Sequence, residues 1–184
     1  SAEFQHKRPC RFLIICLPEM ANCNSGRGYP EMLDPRSELY NDLILAYAKN
    51  AEIPKVDMRR IYLTGLGSGA TIAAGMALDH PGRFAAVAPV WLTPYLSVVH
   101  PRIPGNWRYY NNYDLERPDP DDNAEQFGRL LRIRNEFTAN VKAAGGDCSF
   151  NYVPKDTPWP WWNLVWSSDE IYDWMFSKVT QFVQ

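Results

Sequence analysis

A short strand pattern that runs into a glycine-rich turn and then into a helix of small residues limits this chain most. Residues 60–64 read Arg60-Ile61-Tyr62-Leu63-Thr64, the next five are Gly65-Leu66-Gly67-Ser68-Gly69, and residues 70–78 carry Ala70, Ala73, Ala74 and Ala77. The β-branched and aromatic residues predict a strand, the glycines permit a tight turn, and the small side chains let the following helix pack closely on a sheet. Such a unit opens a βαβ crossover, which predicts a parallel sheet.

The flanking sequence extends that pattern. Phe12-Leu13-Ile14-Ile15-Cys16-Leu17 is a continuous apolar run ended by Pro18, as expected of a central strand buried on both faces. Residues 21–35 read as a loop, and Ser37–Lys49 places Leu39, Leu43, Ala46 and Tyr47 at helical spacing. Residues 83–90 and 107–110 are further strand candidates, residues 114–122 a Pro- and Asp-rich excursion, and residues 125–144 a long helix closed by Gly145-Gly146. Residues 149–153 predict a last strand, residues 158–166 a Trp-rich loop and residues 169–182 a terminal helix. The 184 residues, 46% of them hydrophobic, suffice for one core, and no internal repeat divides residues 1–184 into two domains.

A strand, a Gly-rich turn and a helix in this order form the nucleophile elbow, in which a serine projects above the sheet. Here Gly67 stands at the middle position of G-x-S-x-G, and glycine has no side chain to attack anything. The stretches Val56-Asp57-Met58-Arg59-Arg60-Ile61-Tyr62-Leu63-Thr64-Gly65-Leu66 and His80-Pro81-Gly82-Arg83-Phe84-Ala85-Ala86-Val87-Ala88-Pro89-Val90 resemble the polyhydroxybutyrate-depolymerase and feruloyl-esterase-like group of α/β-hydrolases. Lys142-Ala143-Ala144-Gly145-Gly146 and Ser167-Ser168-Asp169-Glu170-Ile171-Tyr172-Asp173-Trp174 are similar to the same group. The resemblance implies a compact α/β-hydrolase core, with a mostly parallel sheet flanked by helices, and a Ser-Asp-His triad with an oxyanion hole. Its serine position is Gly67, and its histidine position, before the terminal helix, is Trp159. The nearest residue to its acidic position is Asp114. Where such enzymes carry His-Gly after their first core strand, this chain has Leu17-Pro18, and proline lacks the N–H an oxyanion needs.

Other chemistries are weaker. Ser68 is a possible shifted nucleophile for an esterase acting on small acyl or polyester substrates, but it needs a base, and none of His6, His80 and His100 is well placed in the sequence. Gly65-x-Gly67-x-x-Ala70 fits a dinucleotide fingerprint, yet residues 85–92 hold no acid for a ribose. Cys10, Cys16, Cys23 and Cys148 show no CxxC spacing, and Asp119, Asp121 and Asp122 sit among prolines without a ligand ladder, so no metal and no cofactor is expected. The cluster Trp159, Trp161, Trp162 and Trp166 reads either as a binding surface or as filling for the place of the missing histidine. Tyr109, Tyr110 and Tyr113 form a second aromatic region, read as an ordinary strand edge.

A net charge of −2 without a polybasic run argues against nucleic acid, and the longest apolar run is far below the roughly 20 residues that span a bilayer. Nothing in the sequence assigns a compartment. The expectation is a catalytically inactive hydrolase-like protein serving as a structural or accessory subunit among other protein subunits. A small-ligand-binding module, with Trp159 lining the old cleft, is the alternative to the Ser68 esterase.

Overall fold

The computed structural model describes residues 2–15, 37–50, 55–91, 103–112, 114 and 124–180. Four five-residue strands form its centre: β1 (Tyr62–Leu66), β2 (Ala86–Val90), β3 (Trp107–Asn111) and β4 (Cys148–Tyr152). They pair in parallel in the order β1-β2-β3-β4, with Tyr62 opposite Ala86, Val87 opposite Trp107 and Trp107 opposite Cys148. Parallel neighbours need a crossover, and α3 (Ser68–Asp79) and α4 (Ala124–Ala143) supply two of them.

The two-residue period of the strands sorts the core into two layers. From β2, Val87 joins a cluster with Tyr40, Ala74, Met76, Trp107, Tyr109, Phe137 and Val141, which unites α2 (Ser37–Lys49), α3 and α4. Ala86, Ala88 and Val90 join the other cluster, with Trp161, Val165, Ile171, Trp174 and Met175. Those residues belong to the last loop and to α5 (Trp162–Ser167) and α6 (Asp169–Ser177). β2 is buried along its whole length, which explains its unbroken apolar sequence. At the first crossover, a Cβ on Gly65 would lie 2.7 Å from the Ala70 nitrogen and closer still to the Gly69 backbone. Only glycine lets β1 and α3 approach so closely.

Helix α6 starts at Ser168, whose hydroxyl accepts the Glu170 N–H at 3.1 Å, and Asp169 and Glu170 complement the helix dipole. Its outer side carries α1 (Ala2–Lys7). Lys7 Nζ lies 2.8 Å from Asp169 Oδ2, and the buried Arg8 guanidinium reaches Asp169 at 2.9 Å and Asp173 at 2.6 Å.

Three expectations need correction. Residues 11–15 form no strand, and Phe12, Leu13 and Ile14 are exposed, although Ile15 packs against the first core cluster. Cys16 and Leu17 lie outside the described residues. An apolar run marks a segment that can be buried; it does not supply the paired edge that makes a strand. Here the run leaves α1, and Phe12 leans on Phe4 at 6.0 Å. The Trp-rich loop gives way to α5 at Trp162, and α6 ends at Ser177 instead of continuing to residue 182. Beyond it, Thr180 N–H donates to the Arg59 carbonyl at 3.0 Å, which takes the chain off the helix axis.

Candidate functional site

Ligands of open parallel sheets bind outside the carboxyl ends of the strands. There β1 delivers Gly67, β2 delivers Trp91, β3 points toward Asp114, and the segment after β4 brings Trp159 and Trp161.

Gly67 adopts φ 53°, ψ −113° between β1 and α3. That region is sparsely populated by L-residues, and it is the kind of strained strand-to-helix corner on which an elbow depends. The Gly67 N–H donates to Val90 O at 3.0 Å, so the corner is fixed to the end of β2. A Cβ built there meets nothing within 4 Å, which means that a side chain at this position would enter open space. The corner is present, and the group it would present is a hydrogen atom.

Ser68 is the half-buried first residue of α3, and among the described residues neither His6 nor His80 hydrogen-bonds a serine. His80 caps the opposite end of the same helix, about 18 Å away at 1.5 Å per residue. His6 lies in α1 on the outer side of α6, and His100 lies outside the described residues. Burial pushes the Cys148 thiol up to about 12, against a smaller lowering by the Thr138 hydroxyl, so it remains protonated and unreactive at neutral pH. Asp114 is half-buried three residues beyond β3.

The four tryptophans of the last loop divide by environment. Trp161 is buried in the core, and its Nε1 has no hydrogen-bond partner. Trp166 Nε1 donates to Thr64 Oγ1, which in turn donates to Ala88 O at 2.7 Å. Both therefore hold the fold together. Trp159, at 68% exposure, stands on the surface. It meets Trp162 edge-on at 4.3 Å, and Trp162 stacks on Trp91 at 5.7 Å with 17° between planes.

Sequence reasoning missed Trp91. Its φ of 57° is unusual for a bulky residue, it is 46% exposed, and its N–H is fixed to Tyr110 O at 2.8 Å. The signal was available in its place directly after the last residue of an apolar strand, at the sheet's carboxyl edge. Tyr109, by contrast, is core, stacked on Phe150 at 4.6 Å, while Tyr113 and the three aspartates at 119, 121 and 122 lie outside the described residues. So does the Leu17-Pro18 pair. Among the described residues no group of His, Cys, Asp or Glu is arranged to hold a metal ion, and no helix is long and apolar enough to cross a membrane.

A parallel sheet with helices on both faces and a glycine corner after its first described strand define a compact α/β fold. A solved structure of a thermostable esterase matches it with a TM-score of 0.50 and 21% identity over 76% of this chain. The chain spans 36% of the length of that esterase, about a third, and the likeness is one of fold. No protein-family model matches the chain, and no curated protein matches it in sequence.

Proposed function

We propose that this chain is a hydrolase-fold protein without hydrolytic activity, derived from the polyhydroxybutyrate-depolymerase and feruloyl-esterase-like group, forming one domain that serves as a structural or accessory subunit of a larger protein assembly. The observation that carries this reading is Gly67 in the elbow conformation with no side chain to react. Triad members act as a unit, so a missing nucleophile together with Trp159 at the histidine position leaves little rate above background. A fold kept without its chemistry needs another use, and binding other proteins is the simplest one.

Labelling of the folded protein with a fluorophosphonate, beside Ser68→Ala, tests the catalytic half. No labelling of either protein is expected. Labelling of the wild type that disappears in Ser68→Ala would make Ser68 a relocated nucleophile and the protein an esterase. A monodisperse monomer in native extracts would overturn the subunit role.

A second reading has its own observation. Trp91, Trp159 and Trp162 form a partly exposed aromatic surface at the sheet's carboxyl edge, and exposed tryptophans are well suited to capture an apolar or aromatic ligand. A small molecule retained by the purified protein and lost in Trp159→Ala, seen by native mass spectrometry, would favour a ligand-binding module.

A further inference from the structure

Helix α2 carries two apolar faces. Tyr40 and Asn41 are buried, and Tyr40 and Ile44 belong to the first core cluster, which fixes the inner side. Leu39, Leu43 and Ala46 lie on the opposite side and are exposed, Leu39 at 54% and Leu43 at 46%. At about 100° per residue the three fall within about 60° of one another. Their spacing of four and then three residues is that of a helix-pairing seam, here turned to solvent.

Glu38, Asp42 and Lys49 form one flank of this seam. They fall within about 40° of one another round the helix, all three are exposed, and none of their side chains pairs with a described residue. The two acids occupy the amino-terminal half of the flank and the lysine its carboxyl-terminal end, so the flank is complementary to itself when turned end for end. In an antiparallel pair about a two-fold axis, same-side flanks meet and every contact is made twice. Setting Leu43 of each copy against Ala46 of the other brings Lys49 opposite residue 40, midway between Glu38 and Asp42 of the other copy. Each acid is then about 3 Å from the lysine along the axis, and the lysine stem covers Leu39. Competing arrangements lack this match. Setting Leu39 against Leu43 brings Asp42 of one copy against Asp42 of the other, and like charges repel. Parallel pairing turns the flank toward the side of Tyr47, which offers it no charge. The overlap in the favoured register is about 15 Å long, so the interface is small and the pair forms at high protein concentration.

We propose that α2 is a self-association surface, on which a second copy of this chain packs its own α2 antiparallel along Leu39, Leu43 and Ala46. Lys49 of each copy is held between Glu38 and Asp42 of the other and sets the register. The proposal goes beyond the subunit reading and stands separately from it, because two like copies need no foreign partner.

Sedimentation velocity of the 184-residue chain from about 5 to about 500 μM tests it. A concentration-dependent passage from monomer to dimer is expected, with the methyl resonances of Leu39 and Leu43 shifting over the same range. Lys49→Glu and Leu43→Glu, both at exposed positions, should each weaken the dimer by at least about tenfold and leave the circular dichroism unchanged. Glu38→Lys/Asp42→Lys should likewise be monomeric alone. Mixed with Lys49→Glu, it should form a dimer of one copy of each, which a misfolded variant would not do. A monomer at every concentration would overturn the proposal. So would a dimer that Lys49→Glu leaves intact, a dimer in which the Leu39 and Leu43 signals stay fixed, or two folded charge variants that do not pair on mixing. A dimer of this kind without any foreign subunit in native extracts would leave the surface standing and remove the accessory role.

Discussion

Trp166 Nε1 donates to Thr64 Oγ1 at 3.2 Å, joining α5 to β1 across 102 residues of sequence. The Trp166 carbonyl in turn accepts the Tyr172 hydroxyl at 2.9 Å, so α6 is drawn into the same connection. Trp166→Phe keeps much of the ring volume and removes the donor. It should lower the unfolding free energy by about 0.5–1.5 kcal/mol in a urea titration, the net worth of one such bond. A loss near zero would mean that Trp166 is held by packing alone.

Gly67→Ser should fold, because a Cβ there meets nothing within 4 Å. Holding serine at φ 53°, ψ −113° costs about 1–3 kcal/mol, which chemical denaturation would register. On the proposed reading the variant remains without esterase activity on p-nitrophenyl acetate, because of the described histidines His6 lies in α1 and His80 at the far end of α3, so neither can serve the new hydroxyl as a base. Turnover well above the wild-type background would reveal a base that the described residues do not show.

Gly65 and Gly69 are close in space and should respond in opposite directions to alanine. Gly65→Ala drives a methyl group into the Gly69 and Ala70 backbone and should destabilise by about 1–3 kcal/mol or more. Gly69→Ala meets nothing within 4 Å inside α3 and should stabilise by about 0.5–1 kcal/mol through helix propensity. Thermal melts of the two variants check the sign of each change.

The contact between α1 and α6 should weaken only at acidic pH. Hydrogen bonds from Lys7 and then Arg8 hold the Asp169 carboxyl below its ordinary 3.8, outweighing a small desolvation effect in the other direction. A carboxylate depressed in the folded state stabilises above its unfolded value, and that contribution is lost as pH falls through the lower folded value. Amide protection in α1 should therefore be level from neutral pH down to the ordinary carboxylate range and decline below it. A decline already near pH 6 would point to another group.

The architecture was legible in the sequence wherever local pattern and burial agree. Ser37–Lys49 is a helix over the residues its apolar spacing indicates, and the strand at Trp107 and the helix that Gly145 closes are each within about a residue of expectation. β1 is displaced toward its turn: Gly65 and Leu66 are strand residues, and α3 starts at Ser68. Glycines advertise a tight corner without saying which of them turns it. The run from Phe12 fails for a different reason, since strand formation depends on a partner edge that composition does not encode. At the candidate site the sequence pointed to the glycine corner at Gly67 but not to its surroundings. The separation of buried Trp161 from exposed Trp159, two residues apart, arises from tertiary packing, as does the meeting of Trp91 with Trp162.

The order of the four described strands in space is also their order along the chain. Each new strand is therefore added to the outside of the sheet that precedes it, and none has to insert between two strands already joined. During synthesis the sheet can grow in the direction of translation, each crossover closing on a template just completed, so the nascent chain avoids the long wait for a distant partner that slows parallel sheets of shuffled order.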